Sequence, residues 1–136
     1  MQGCKTRLAA AAVACGLFLG VGAVASAQEF SQPPGSPGFR IQQAYQSAFC
    51  RNPFSGEYDF WRADPRSASE AQMIAAHQEW LKTNDGERAS MVRKAYERAR
   101  RRPQPADLAY WDARVKRDGM PCHKVVSDIQ SNAPRN

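Results

Sequence analysis

Cysteine, histidine and closely spaced carboxylates are the residues of this chain whose types could do chemistry. Cys50, His77, Cys122 and His123 offer thiolate and imidazole donors, and Glu57 and Asp59 offer two carboxylates. A metal site needs three or four such donors in one place. Only His123 adjoins a cysteine, so two free thiols or a metal site completed by His123 stand as the lesser alternatives to a disulfide. Carboxylates two apart on a helix point away from each other and make a poor acid–base pair. Glu57 and Asp59 therefore read as solvated charges or as helix N-terminal charges near Ser55. His77 reads as a helix-face or half-buried histidine rather than a general base. No Gly-x-Ser-x-Gly elbow, His-Glu-x-x-His helix or glycine-rich phosphate loop occurs. The expectation is a protein without catalytic residues, cofactor or metal.

The other chemical feature is a basic cluster, Arg93, Lys94, Arg98, Arg100, Arg101 and Arg102, with Tyr96, Tyr110 and Trp111 nearby. Basic side chains interleaved with aromatics can neutralise phosphates and stack bases. They can equally bind acidic wall polymers, lipid headgroups or an acidic protein. The plainer reading places the arginines in the last turn of a helix, where they complement its carbonyl end.

The first residues bear on which partner is available. Lys5 and Arg7 precede an apolar run over 8–24, and Ala25-Ser26-Ala27 then supplies a small-x-small cleavage site. This pattern predicts a cleaved export signal over 1–27 and a mature start at Gln28. An uncleaved membrane anchor fits less well, because the run is rich in Ala and Gly. A lipoprotein site at Cys15 also fits less well, because apolar sequence continues beyond it. Without Lys5 and Arg7, the 19 basic and 13 acidic side chains leave a formal charge of +4. Export argues against nucleic acid as partner and predicts a periplasmic or secreted bacterial protein with no membrane anchor after cleavage. In an oxidising compartment, Cys50 and Cys122 read as a disulfide. Closing a loop of roughly 70 residues stabilises a fold by about 4 kcal/mol in the chain-entropy model.

Residues 28–38, rich in Pro, Gly and Ser, read as a flexible lead. Helical spacing follows. Ile41, Ala44, Tyr45, Ala48 and Phe49 share one face of a helix that Pro53 ends. Ser67 and Glu70 form a capping box for a second helix. In it Ile74, Ala75 and Leu81 make one stripe, and Met73, His77 and Trp80 another. Gly86 stops or hinges it. Val92, Ala95, Tyr96 and Ala99 mark a further helix, closed by Pro103 and Pro105. Pro105 opens the next, with Leu108, Trp111 and Val115 on one side and Gly119 as terminator. Pro121 opens a last helix bearing Val125, Val126 and Ile129. No stretch alternates as a strand does, so the expected fold is all-α, with five or six helices over 39–134.

One phrase is written twice. Tyr45, Arg51, Pro53, Phe60 and Trp61 match Tyr96, Arg101, Pro103, Tyr110 and Trp111 at offsets of 50 or 51. The repeats would run over about 39–86 and 87–134, each too small to enclose a core alone, so the two must pack together. Phe54, Tyr58, Phe60 and Trp61 fit core packing or an exposed docking surface, and core is the expectation in a protein so short of large aliphatics.

The order Tyr, Arg-x-Pro, Leu-x-Tyr-Trp, Gly and a short apolar helix resembles the helical domain of unknown function of secreted bacterial surface and repeat-in-toxin proteins, itself similar to phycobilisome linker domains. The second copy shows it at Tyr96, Arg101, Pro103, Leu108, Tyr110, Trp111 and Gly119; the first has Asp64-Pro65 where the Gly would fall. The resemblance implies interaction or scaffolding and no catalytic residue. The sequence therefore predicts an exported scaffold that binds an envelope protein or itself. The alternative is a small binder of anionic polysaccharide or lipid headgroups through the arginine cluster.

Overall fold

The computed structural model describes residues 32–132, so the export signal expected over 1–27 lies outside the described residues. Six α-helices follow one another: α1 (Pro37–Phe49), α2 (Ser55–Ala63), α3 (Glu70–Thr83), α4 (Asp85–Arg98), α5 (Pro105–Asp118) and α6 (Cys122–Ser131), with a 3-10 turn at Pro65–Ala68. No strand occurs among the described residues. The all-α expectation holds.

The local reasons are legible at most helix ends. The Ser36 hydroxyl accepts from the Phe39 N–H at 3.1 Å, and Pro37 supplies the preset first-turn φ. Ile41, Ala44, Tyr45, Ala48 and Phe49 are all buried, as their spacing requires. Pro105 opens α5, and Gly119 ends it in the left-handed region at φ 62°.

The helices share one core. Ile41, Met73, Leu81, Met91, Val115, Cys122 and Val125 are fully enclosed there. α1 packs on α3 and α6, while α4 packs on α5 and α6. Cys50 and Cys122 are disulfide-bonded with Cα atoms 5.6 Å apart, tying the end of α1 to the start of α6. That bond engages both cysteines of the described residues, so neither offers His123 a thiolate with which to share a metal. The His123 ring faces α1, its Nδ1 3.2 Å from the Ser47 carbonyl.

Arg88 is the largest wholly buried side chain, 1 % exposed. Its Nε donates to Asp112 Oδ1 at 2.8 Å and its Nη1 to the Leu81 carbonyl at 3.0 Å. The guanidinium thus satisfies a carbonyl at the end of α3 and links it to α5.

Several boundaries differ from expectation. α1 begins at Pro37, so the last two residues of the expected 28–38 lead are helical. The chain leaves α1 at Cys50, in the left-handed region at φ 55°, three residues before Pro53. Ser69, not Ser67, caps α3, because Pro65 and the Asp64 carboxylate, which accepts from the Arg66 N–H at 2.9 Å, wind 65–68 into a tighter turn. Gly86 lies in the first turn of α4 and ends nothing. Asn84 closes α3 and caps α4, its side chain accepting from the Glu87 N–H at 2.9 Å. On α3 the buried stripe is Met73, His77 and Leu81, at four-residue spacing, while Ala75 and Trp80 face outward.

Candidate functional site

The twice-written motif builds two clefts. In the first, the α1–α2 connection presents Arg51 to two glutamates. Arg51 Nη1 and Nη2 donate to the Glu57 carboxylate at 2.7 and 2.8 Å, and Nε donates to Glu87 Oε1 at 3.0 Å. Nη1 also donates to the Asn52 carbonyl at 3.1 Å. The guanidinium lies over the rings of Tyr45, Phe49 and Phe54, 4.7–5.3 Å from their centroids. Burial opposes the charge on Arg51, but the hydrogen bonds to Glu57 and Glu87 outweigh it and raise its pKa. Burial likewise opposes ionisation of Glu57. Its bonds to Arg51 and to the Phe54 N–H, which it accepts at 2.7 Å, prevail and hold its pKa low. Glu57 therefore caps α2 and clamps Arg51 at once.

Above this ion cluster lies a cleft of about 600 Å³, lined among others by Phe60, Trp61, His77 and Trp80. Its wall is aromatic and tightly packed. The Trp61 indole N–H donates to the Tyr45 hydroxyl at 3.1 Å, and burial pushes the Tyr45 pKa up to about 12. His77 stands edge-on to Tyr45, Phe49 and Trp61, with centroids 4.5–5.0 Å away. Its Nε2 is buried without a hydrogen-bond partner among the described residues. Burial drives the imidazole pKa down to about 4, so it is neutral at physiological pH. The half-buried reading of His77 is corrected: it is enclosed in the core.

Similar local features surround the second writing of the phrase. Arg100, just before Arg101, adopts the left-handed region at φ 56°, as Cys50 does just before Arg51 at φ 55°. Asp107 accepts from the Gln104 N–H at 2.8 Å, as Glu57 does from Phe54. The Trp111 indole engages the Tyr96 hydroxyl. Tyr110 meets Trp111 edge-on at 5.2 Å, and Phe60 meets Trp61 so at 5.4 Å. Tyr96, Arg101, Arg102, Tyr110 and Trp111 line a second cleft of about 480 Å³.

The basic cluster does not form one patch at the end of a helix. α4 ends at Arg98, so Arg100, Arg101 and Arg102 lie beyond its last turn. Arg98 reaches Gln46 on α1. Arg93 lines a separate groove between α4 and α5 with Leu108 and Asp112. Lys94 is half-buried on α4. Arg100, Arg101 and Arg102 are exposed and form no ion pair among the described residues. Of the four aromatics named as core or docking surface, Tyr58 and Trp61 are buried, whereas Phe54 and Phe60 are exposed.

Comparison with family models, curated proteins and solved structures returns no match for this chain. The site therefore rests on its own geometry. Sequence reasoning missed Glu87 and Arg88. Arg88 had a readable signal, since a charged residue three before Met91 falls on the buried stripe of α4. Glu87 had none, because its partner Arg51 is 36 residues away.

Proposed function

We propose that the protein is an exported, non-enzymatic interaction or scaffold protein of the bacterial envelope, built from two degenerate helical repeats and binding other proteins through them. The observation that carries this reading is the placement of the exposed aromatics. Phe54, Phe60, Trp80 and Tyr110, each more than half exposed, are the exposed large apolar side chains of the described residues; Phe60 and Trp80 line the first cleft, Tyr110 lines the second, and Phe54 lies against Arg51 of the first. Scattered apolar residues need no explanation, but rings gathered at clefts are what a protein-binding surface offers. The polar groups of the first cleft support the same reading. Arg51, Glu57 and Glu87 are engaged with one another, Arg66 is paired with Asp64 and Glu79 with Lys82, the Thr83 hydroxyl donates to the Trp80 carbonyl, and His77 is enclosed and neutral. The matched turns, caps and Tyr–Trp pairs support the repeat. The pattern of residues 1–27 supports export to the periplasm or beyond.

Crosslinking in intact cells at native levels, with the products identified by mass spectrometry, tests the proposal. A discrete set of envelope proteins, or the protein itself, is expected, and it should vanish in the Phe60→Ser, Trp80→Ser variant. Glycan-bearing smears or no protein product would overturn it. Arg100, Arg101 and Arg102, exposed and without an ion pair among the described residues, favour a second reading, a binder of anionic polysaccharide or lipid headgroups. Salt separates the two, since an ion-driven complex weakens steeply with ionic strength while apolar docking barely changes.

A further inference from the structure

We propose that Arg101 is an open carboxylate clamp that docks an acidic side chain of a partner protein, the role Glu87 fills for Arg51. This deepens the protein-binding reading above and rests on it. The first copy shows what the motif arginine takes when its site is complete. Arg51 holds one carboxylate from its own copy, Glu57, and a second from the first helix of the copy that follows, Glu87. Arg101 occupies the corresponding place: a left-handed residue precedes it, a proline stands two residues on, and a Tyr–Trp pair lies alongside. Neither carboxylate reaches it. Asp107, one methylene shorter than Glu57, accepts the Gln104 N–H at 2.8 Å and forms no ion pair with Arg101. No described helix follows to supply the counterpart of Glu87.

What would complete the site is readable from the internal register. At the offset of 51 that aligns Tyr45 with Tyr96, Glu87 aligns with Ser36. A second copy of this chain stacked in the register of the two repeats would thus bring a hydroxyl, already accepting from the Phe39 N–H, and no carboxylate. The occupant is instead an acidic segment of a different protein. Arg102 beside Arg101 adds a second guanidinium. Tyr110, 56 % exposed, offers an apolar rim for the residue that follows the acid. A guanidinium fork matches a carboxylate in two parallel hydrogen bonds, which an ammonium cannot do.

Fluorescein-labelled hexaglutamate, titrated by fluorescence anisotropy at low ionic strength, is the probe. Arg101→Gln is expected to weaken binding about tenfold, and Arg101→Lys nearly as much, as loss of one charge-assisted bidentate pair requires. Arg93→Gln, which removes the same charge from the other groove, is expected to change it less than about twofold. Equal losses in Arg101→Gln and Arg93→Gln would reduce the effect to net charge and overturn the clamp. So would absence of binding to the wild type, or tighter binding of a polyphosphate of equal charge. The two proposals fail separately. Cellular crosslinks that are identical in wild type and Arg101→Gln would leave the scaffold standing without this site. A clamp active on hexaglutamate with no protein crosslinked in cells would leave the site and remove the scaffold.

Discussion

His77 is a basic residue held uncharged. Three rings enclose it, and burial keeps its pKa near 4 against an ordinary 6.5. The unfolded chain takes up the proton as pH falls through 6.5, whereas the folded chain refuses it until about 4. Stability from this group is thus complete above pH 6.5 and lost progressively between 6.5 and 4, by about 3 kcal/mol in all. Urea unfolding across that range should show the decline, and His77→Phe should flatten it between pH 6.5 and 5, above the range where Glu57 begins to contribute. An unchanged slope in the variant would show that other groups carry it. At this scale the sequence named the motif residues Tyr45, Arg51 and Trp61, because aromatics and a fixed Arg-x-Pro spacing survive as pattern. It left Glu87 unnamed, because a long-range ion pair leaves no periodic trace. It misplaced Trp80, because a three-residue step from His77 lands on the helix flank while a four-residue step to Leu81 keeps to the core.

Caps and turns decide where each helix stops, and two glycines show how differently the same residue can act. Gly119 closes α5 at φ 62°, and a Cβ there would lie 3.2 Å from the Gln78 carbonyl and 2.8 Å from the Lys82 side chain. The lysine can move; the carbonyl cannot. Gly119→Ala should therefore destabilise by about 1–2 kcal/mol. Gly86 is helical, and its Cβ would meet only Asn84 Oδ1 at 3.7 Å. Gly86→Ala should stabilise by about 0.5–1 kcal/mol. Thermal melts of the two variants should move in opposite directions. The sequence made Gly119 legible because a glycine after a basic last turn is a stop signal. It made Gly86 misleading because Asn84, a C-cap and an N-cap at once, already performs the stop. Pro53 misled similarly: a proline ends a helix at or before its neighbour, and here the left-handed Cys50 had already ended it.

At the scale of the whole described fold, a disulfide ties α1 to α6. Closing the loop between Cys50 and Cys122, 72 apart in sequence, stabilises by about 4 kcal/mol in the chain-entropy model. The double variant Cys50→Ser, Cys122→Ser should lose an amount of that order in denaturant titrations, and reductant should do the same to the wild type. Equal stability of oxidised and reduced protein would show that the helical core suffices alone. The all-α class and the disulfide were legible because apolar spacing, and the two cysteines left once the expected export signal is set aside, each admit few readings. The mutual packing of the helices was not, since it depends on Arg88 and on contacts between residues far apart in the chain. The position of the second cysteine adds a consequence for biosynthesis. Cys122 emerges only after five of the six described helices have been made, so a chain cut short between Cys50 and Cys122 carries a Cys50 without its partner. A thiol-directed quality-control system could sort finished molecules from truncated ones by that mark alone.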